Sequence, residues 1–166
     1  MGQPDAGLGN GTMQEPAFQD MMHGNHCWGC GSDNHQGLQI KSRWYGDESI
    51  CTWQPRDYYS AGPPGILNGG VIASLIDCHC ICTAMAAAYR IQQRDLGSEP
   101  LIWYATASLQ VNYKRPTPID QEVTLRAQIA ETTERRTNLS CSLYAAGEEC
   151  ASGEVVAVRV SAEWLK

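Results

Sequence analysis

Within Leu67-Asn68-Gly69-Gly70-Val71-Ile72-Ala73-Ser74-Leu75-Ile76-Asp77-Cys78-His79, one carboxylate stands in an otherwise apolar run. The run continues through Cys80-Ile81-Cys82-Thr83-Ala84-Met85-Ala86-Ala87-Ala88-Tyr89, so a helix here is apolar on nearly every side and belongs against a sheet. A carboxylate on such a helix costs free energy unless it is paired, hydrogen-bonded or used, which makes Asp77 a candidate catalytic group. Gly69 and Gly70 stand at the helix start, where unpaired backbone N–H groups can face a carbonyl oxygen or an oxyanion. These groups together suit attack on a carbonyl: amides to polarise it, and a carboxylate to act as general base or as nucleophile. Asn68 either caps the helix or donates its side-chain amide to the same carbonyl.

At 100° per residue, Gly70, Ser74, Asp77, Ile81 and Ala84 form one stripe, and Val71, Leu75, Cys78, Cys82, Met85 and Tyr89 form a neighbouring stripe that reads as core. Asp77 lies two turns beyond Gly70, roughly 10 Å along the axis, so one helix cannot bring both groups to one carbonyl. Two antiparallel helices across a two-fold axis can, which predicts a homodimer with two composite sites, alone or as a dimer of dimers. Ser74 shares the stripe of Asp77 and could orient substrate or water. Thr83 is a further candidate for contact with substrate, although Thr83 and His79 point to the opposite side, where satisfied core groups are the commoner case.

The elements that must position these residues follow from the rest of the chain. With 166 residues, the chain suits one domain with a full core. Residues 1–25 read as a mobile tail and 26–166 as the domain. Gly37–Tyr45 and Ser49–Gln54 read as two strands, Pro55–Leu67 as a loop, and the long helix follows. After Gly97 the period becomes two: Ala105, Ala107, Leu109, Val111 and Tyr113 alternate with Thr106, Ser108, Gln110, Asn112 and Lys114, a strand with one buried face. Strands centred on Val123–Ile129, Leu139–Leu143 and Val156–Val160 complete an antiparallel meander. The result is an α+β domain whose sheet wraps one long helix.

A formal net charge of −6 argues against a nucleic-acid partner. There is no basic leader followed by an apolar segment and no uninterrupted apolar run of spanning length, so a cytoplasmic protein without membrane association is expected. Three of the eight cysteines occupy the helix and two lie in strand-like segments, which favours buried reduced thiols over a disulfide scaffold.

Two strands, a long helix opened by Gly-Gly and carrying an Asp, and four more strands resemble the hotdog fold. Specifically, the chain resembles the acyl-CoA thioesterases of the phenylacetate-degradation type, in which a His-Gly-Gly triplet opens the helix and an acidic residue follows nine positions after the His. Asn68-Gly69-Gly70 and Asp77 keep that spacing, with Asn at the place of His. His26-Cys27-Trp28-Gly29-Cys30-Gly31, Asn34 and Gly37-Leu38 resemble the segment before the fold in one branch of these proteins. The resemblance covers about residues 26–165. It implies hydrolysis of an acyl-CoA thioester by Asp77, with Gly70 and Gly69 as oxyanion donors, no cofactor, and sites shared between subunits.

Coenzyme A phosphates would need cations near the pocket mouth, for which Lys114, Arg115, Arg135 and Arg136 are available. Trp53, Tyr58, Tyr59, Trp103 and Tyr104 could line a pocket for a small or aromatic acyl group, or serve as core. Cys27 and Cys30, flanked by His26 and His35, offer possible zinc ligands, but no second CxxC pair follows. A Gly-rich turn packing its thiols on the sheet edge is therefore expected rather than a metal. A non-catalytic acyl-CoA or acyl-carrier binding module on the same fold is the alternative function, kept open by Asn68 at the His position.

Overall fold

The computed structural model describes residues 15–165. The elements run β1 (Ser42–Tyr45), β2 (Glu48–Trp53), α1 (Gly69–Ile91), β3 (Tyr104–Tyr113), β4 (Val123–Thr132), β5 (Arg136–Ala145) and β6 (Glu148–Arg159), with short 3-10 turns at Phe18–Met21, Asp57–Tyr59 and Ala162–Leu165. The strands form one antiparallel sheet in the order β1-β2-β4-β5-β6-β3. Only β4, β5 and β6 form a meander. β3 crosses to the far edge beside β6, because the helix that precedes it carries the chain across the sheet.

The sheet wraps α1, which is buried from Cys78 through Tyr89. By length and composition this helix could cross a membrane, although Asp77 interrupts its apolar run, but most of it is buried inside the fold. Val71, Leu75, Cys78, Cys82, Met85 and Tyr89 are all buried, as the core stripe predicts. Gly153 lets the helix approach β6: a Cβ there would stand 2.6 Å from Ile76 Cγ2.

Three expectations change. Order begins by residue 15 rather than 26, because Phe18 and Met22 enter the core and the Gln19 side chain bonds to Ser42 at 2.8 and 3.0 Å; the rest of the expected tail, 1–14, lies outside the described residues. The first strand shortens to Ser42–Tyr45, since 37–41 runs without a ladder partner and carries contacts to the Cys27–Asn34 turn instead. β3 is mostly exposed on both faces, with Leu109 at 38% and Tyr113 at 56% exposure. It is an edge strand, and nothing among the described residues covers its outer rim.

Candidate active site

Asn68, in extended backbone conformation, places Oδ1 over the helix start and accepts from Gly70 N at 2.8 Å and Val71 N at 3.3 Å. Asn68 is thus the helix cap, and the Gly70 amide is engaged by it. The Gly69 N–H has no hydrogen-bond partner among the described residues. Because Asn68 caps through oxygen, its Nδ2 group stays available as a donor on the exposed side. The Gly69 carbonyl accepts from Tyr113 Oη at 2.7 Å, and a Cβ on Gly69 would meet the Tyr113 ring at 3.4 Å.

Two turns on, Asp77 is half-buried, and its Oδ1 accepts from Thr106 Oγ1 at 2.6 Å. Burial pushes its carboxyl pKa up; the Thr106 donor opposes this, and the neighbouring Cys30 adds to it. Between the two sits Ser74, whose hydroxyl donates to the Gly70 carbonyl at 2.9 Å. Gly70, Ser74 and Asp77 therefore share the open stripe of α1 beside β3. The stripe closes below them, where Ile81 and Ala84 are buried.

Thr83 does not belong to this face. Its hydroxyl is fully buried, 2.5 Å from Ser49 Oγ, and donates to the His79 carbonyl at 2.7 Å, so it cannot contact substrate. His79 is equally enclosed, between Ser42 Oγ at 2.8 Å and Ser49. Burial lowers its pKa to about 4, so it is a neutral core group at physiological pH. Lys114 pairs with Glu149 at 2.7 Å and Arg115 pairs with Glu148, so phosphate groups would have to compete with carboxylates for both cations. Arg136 donates to Asn138 at 2.9 Å.

The aromatic candidates divide. Tyr58, Tyr59 and Trp53 form a chain of tilted ring contacts at 4.6 and 5.4 Å, and the Tyr59 carbonyl accepts from Asn68 N at 2.9 Å, which sets this cluster beside the helix start. Tyr104 is core and Trp103 packs on it half-buried. Thr106 and Tyr113 are the residues that sequence reasoning missed as parts of the site. Thr106 stood on the expected solvent face and Tyr113 on the buried one; no sequence signal marks the bulge between Thr106 and Ser108 that turns both toward the helix. The Cys27–Cys30 turn also gains an unforeseen neighbour, since Cys78 Sγ lies 3.7 Å from Cys27 Sγ.

A long helix opened by Gly-Gly, wrapped by a six-stranded antiparallel sheet, is the hotdog architecture. The thioesterase superfamily model matches residues 64–152, and the chain belongs to that superfamily. The thioesterase superfamily protein of Shewanella loihica PV-4 is 37% identical, with a TM-score of 0.61 over 74% of this chain and 91% of that one. The E. coli PaaI protein, from the phenylacetic acid degradation operon, shares the fold at 13% identity, with a TM-score of 0.61 over 75% of this chain and 81% of that one. The acyl-coenzyme A thioesterase THEM4 of Bos taurus is 29% identical over 61% of this chain and 35% of its own length; that of Xenopus laevis is 31% identical over 57% and 36%. The chain thus spans about a third of the length of these curated relatives.

Proposed function

We propose that the protein hydrolyses a small or aromatic acyl-CoA thioester as a homodimer, with Asp77 as general base or nucleophile. One observation carries this reading: a half-buried carboxylate with an uptuned pKa, oriented by a 2.6 Å donor, lies on the one open stripe of a core helix. Membership of the thioesterase superfamily and likeness to proteins named acyl-coenzyme A thioesterases support the choice of substrate class.

In the general-base form, Asp77 takes a proton from water while the water oxygen bonds to the carbonyl carbon. Negative charge collects on the carbonyl oxygen at the helix start of the other protomer, where the Gly69 amide is available and the substrate oxygen displaces Asn68 Oδ1 from the Gly70 amide. Collapse breaks the C–S bond, and the proton held by Asp77 passes to the departing thiolate, so that coenzyme A leaves as the thiol beside the carboxylic acid and the Asp77 carboxylate is restored. The roughly 10 Å between Gly70 and Asp77 along one helix is the reason for invoking a second protomer. The open rim of β3, beside the site, is where that protomer would add. The Tyr58, Tyr59 and Trp53 cluster suits a flat or short acyl group. Eight free cysteines fit a reducing, cytoplasmic setting.

The capped Gly70 amide and Asn68 at the His position favour one other reading, a non-catalytic acyl-CoA or acyl-carrier binding module. Release of free coenzyme A thiol from a panel of short, long and aromatic acyl-CoA thioesters separates the two. Hydrolysis that falls about 100-fold or more in Asp77→Asn, with the fold intact by circular dichroism, supports catalysis. Tight binding without turnover on every substrate supports the module.

A further inference from the structure

Three thiols that the proposed reaction does not use converge beside the site. Cys27 and Cys30 come from the Gly-rich turn, Cys78 comes from α1, and their sulfurs all lie within 4.8 Å of one another. Cys27 Sγ and Cys78 Sγ are 3.7 Å apart. Two sulfurs bonded to one tetrahedral zinc at about 2.3 Å stand about 3.8 Å from each other, so this pair already has the spacing of a shared metal. The other sulfur pairs would close by no more than about 1 Å to reach it.

The turn is built onto the third sulfur. A Cβ on Gly29 would stand 2.2 Å from Cys78 Sγ, so only glycine lets the turn seat there. Gly31 N donates to the Cys27 carbonyl at 2.8 Å, and the Asn25 side chain accepts from Cys27 N at 3.0 Å while its Nδ2 points to Cys30 Sγ at 3.6 Å. An amide directed at a ligand sulfur is the outer-sphere support that metal thiolates use. Cys27 is exposed while Cys30 and Cys78 are buried, so an ion can reach the cluster from solvent and keep one solvent-facing position. The cluster contains only sulfur, with neither His26 nor His35 in it, and sulfur selects a thiophilic ion over magnesium or calcium.

We propose that Cys27, Cys30 and Cys78 bind one zinc ion, with solvent as the fourth ligand. Binding exchanges three thiol protons for the ion and leaves a trithiolate centre with a net charge of −1. The ion ties the segment around residues 25–40 to α1 one residue beyond Asp77. This revises the expectation from the CxxC motif alone, which showed two thiols where the fold supplies three.

The test uses the full chain, reduced, loaded with zinc or with cobalt(II), and desalted. One metal per chain is expected by elemental analysis, with sulfur-to-cobalt charge-transfer bands and the d–d bands of a tetrahedral site. Cys27→Ala, a change at an exposed position, and Cys78→Ala, a small change on the helix, should each abolish stoichiometric uptake. Far-UV circular dichroism checks that the variants fold. Failure of the reduced wild-type protein to take up metal would overturn the site, as would uptake unchanged in both variants. A Cys27–Cys78 disulfide forming in air, in a chain that takes up no metal when reduced, would make the cluster a redox pair and overturn it equally.

Discussion

Thr106 and Tyr113, seven residues apart on β3, both hydrogen-bond to α1: Thr106 to Asp77 at 2.6 Å and Tyr113 to the Gly69 carbonyl at 2.7 Å. An odd separation puts two side chains on opposite faces of a regular strand. The register shift between Thr106 and Ser108 inserts the extra residue that brings both to one side. One edge strand thus braces both ends of the open stripe.

The Thr106 donor favours the ionised form of Asp77, against the burial that disfavours it. Removing it in Thr106→Val should push the Asp77 pKa further up. A base or nucleophile must be ionised, so the acidic limb of the kcat/KM profile should move to higher pH. A pH–rate series on wild type and variant checks this; an unmoved limb would take Asp77 out of the rate-determining ionisation.

Asn68→Ala should cost about 1 kcal/mol of stability through the lost cap. It also frees the Gly70 amide, so kcat/KM should hold or rise if that amide receives the carbonyl oxygen. Chemical denaturation and steady-state kinetics on the same preparation read both effects. A loss of about 100-fold in kcat/KM, the low end for removal of one oxyanion donor, would instead assign the donor role to Asn68 Nδ2.

Leu109→Asp, on the open edge strand, should turn a homodimer into a monomer and remove hydrolysis with it, as light scattering after size exclusion and a coenzyme A release assay would show. A monomer of full activity would reject the shared site. The complementary experiment refolds mixed Asp77→Ala and Gly70→Val chains, in which about a quarter of wild-type activity should return if each site draws on two chains. Because a Cβ on Gly70 would stand 3.1 Å from Asn68 Oδ1, circular dichroism of that single variant comes first.

His79 makes stability depend on pH. Its native pKa is lowered from 6.5 to about 4 by burial, so below pH 6.5 the unfolded chain binds a proton that the folded one refuses. The stability involved is fully present above pH 6.5 and is lost as the pH falls toward 4, with a ceiling of roughly 3 kcal/mol. His79→Gln should flatten this slope in urea unfolding measured stepwise across that range. An identical slope in the variant would assign the acid sensitivity to other groups.

The long apolar run from Val71 to Tyr89 by itself determined a helix shielded from water, because an element apolar on nearly all sides must be enclosed; that the chain's own sheet encloses it was decided by the tertiary structure. Period-two alternation likewise determined the existence of the later strands, and the glycines marked where the helix begins. Asp77 stood out on cost alone. What alternation cannot carry is a break in its own phase, so the bulge in β3, and with it Thr106 as the partner of Asp77, came only from the ladder with β6. Strand order also depended on the three-dimensional path: local patterning reports which residues face a core, and does not report which edge a crossover reaches. The same limit applied to the cysteines. Cys78 read correctly as a core residue of the helix, yet its nearness to Cys27 and Cys30 arises because Gly29 lets a distant turn settle on its sulfur, a contact between segments far apart in the chain.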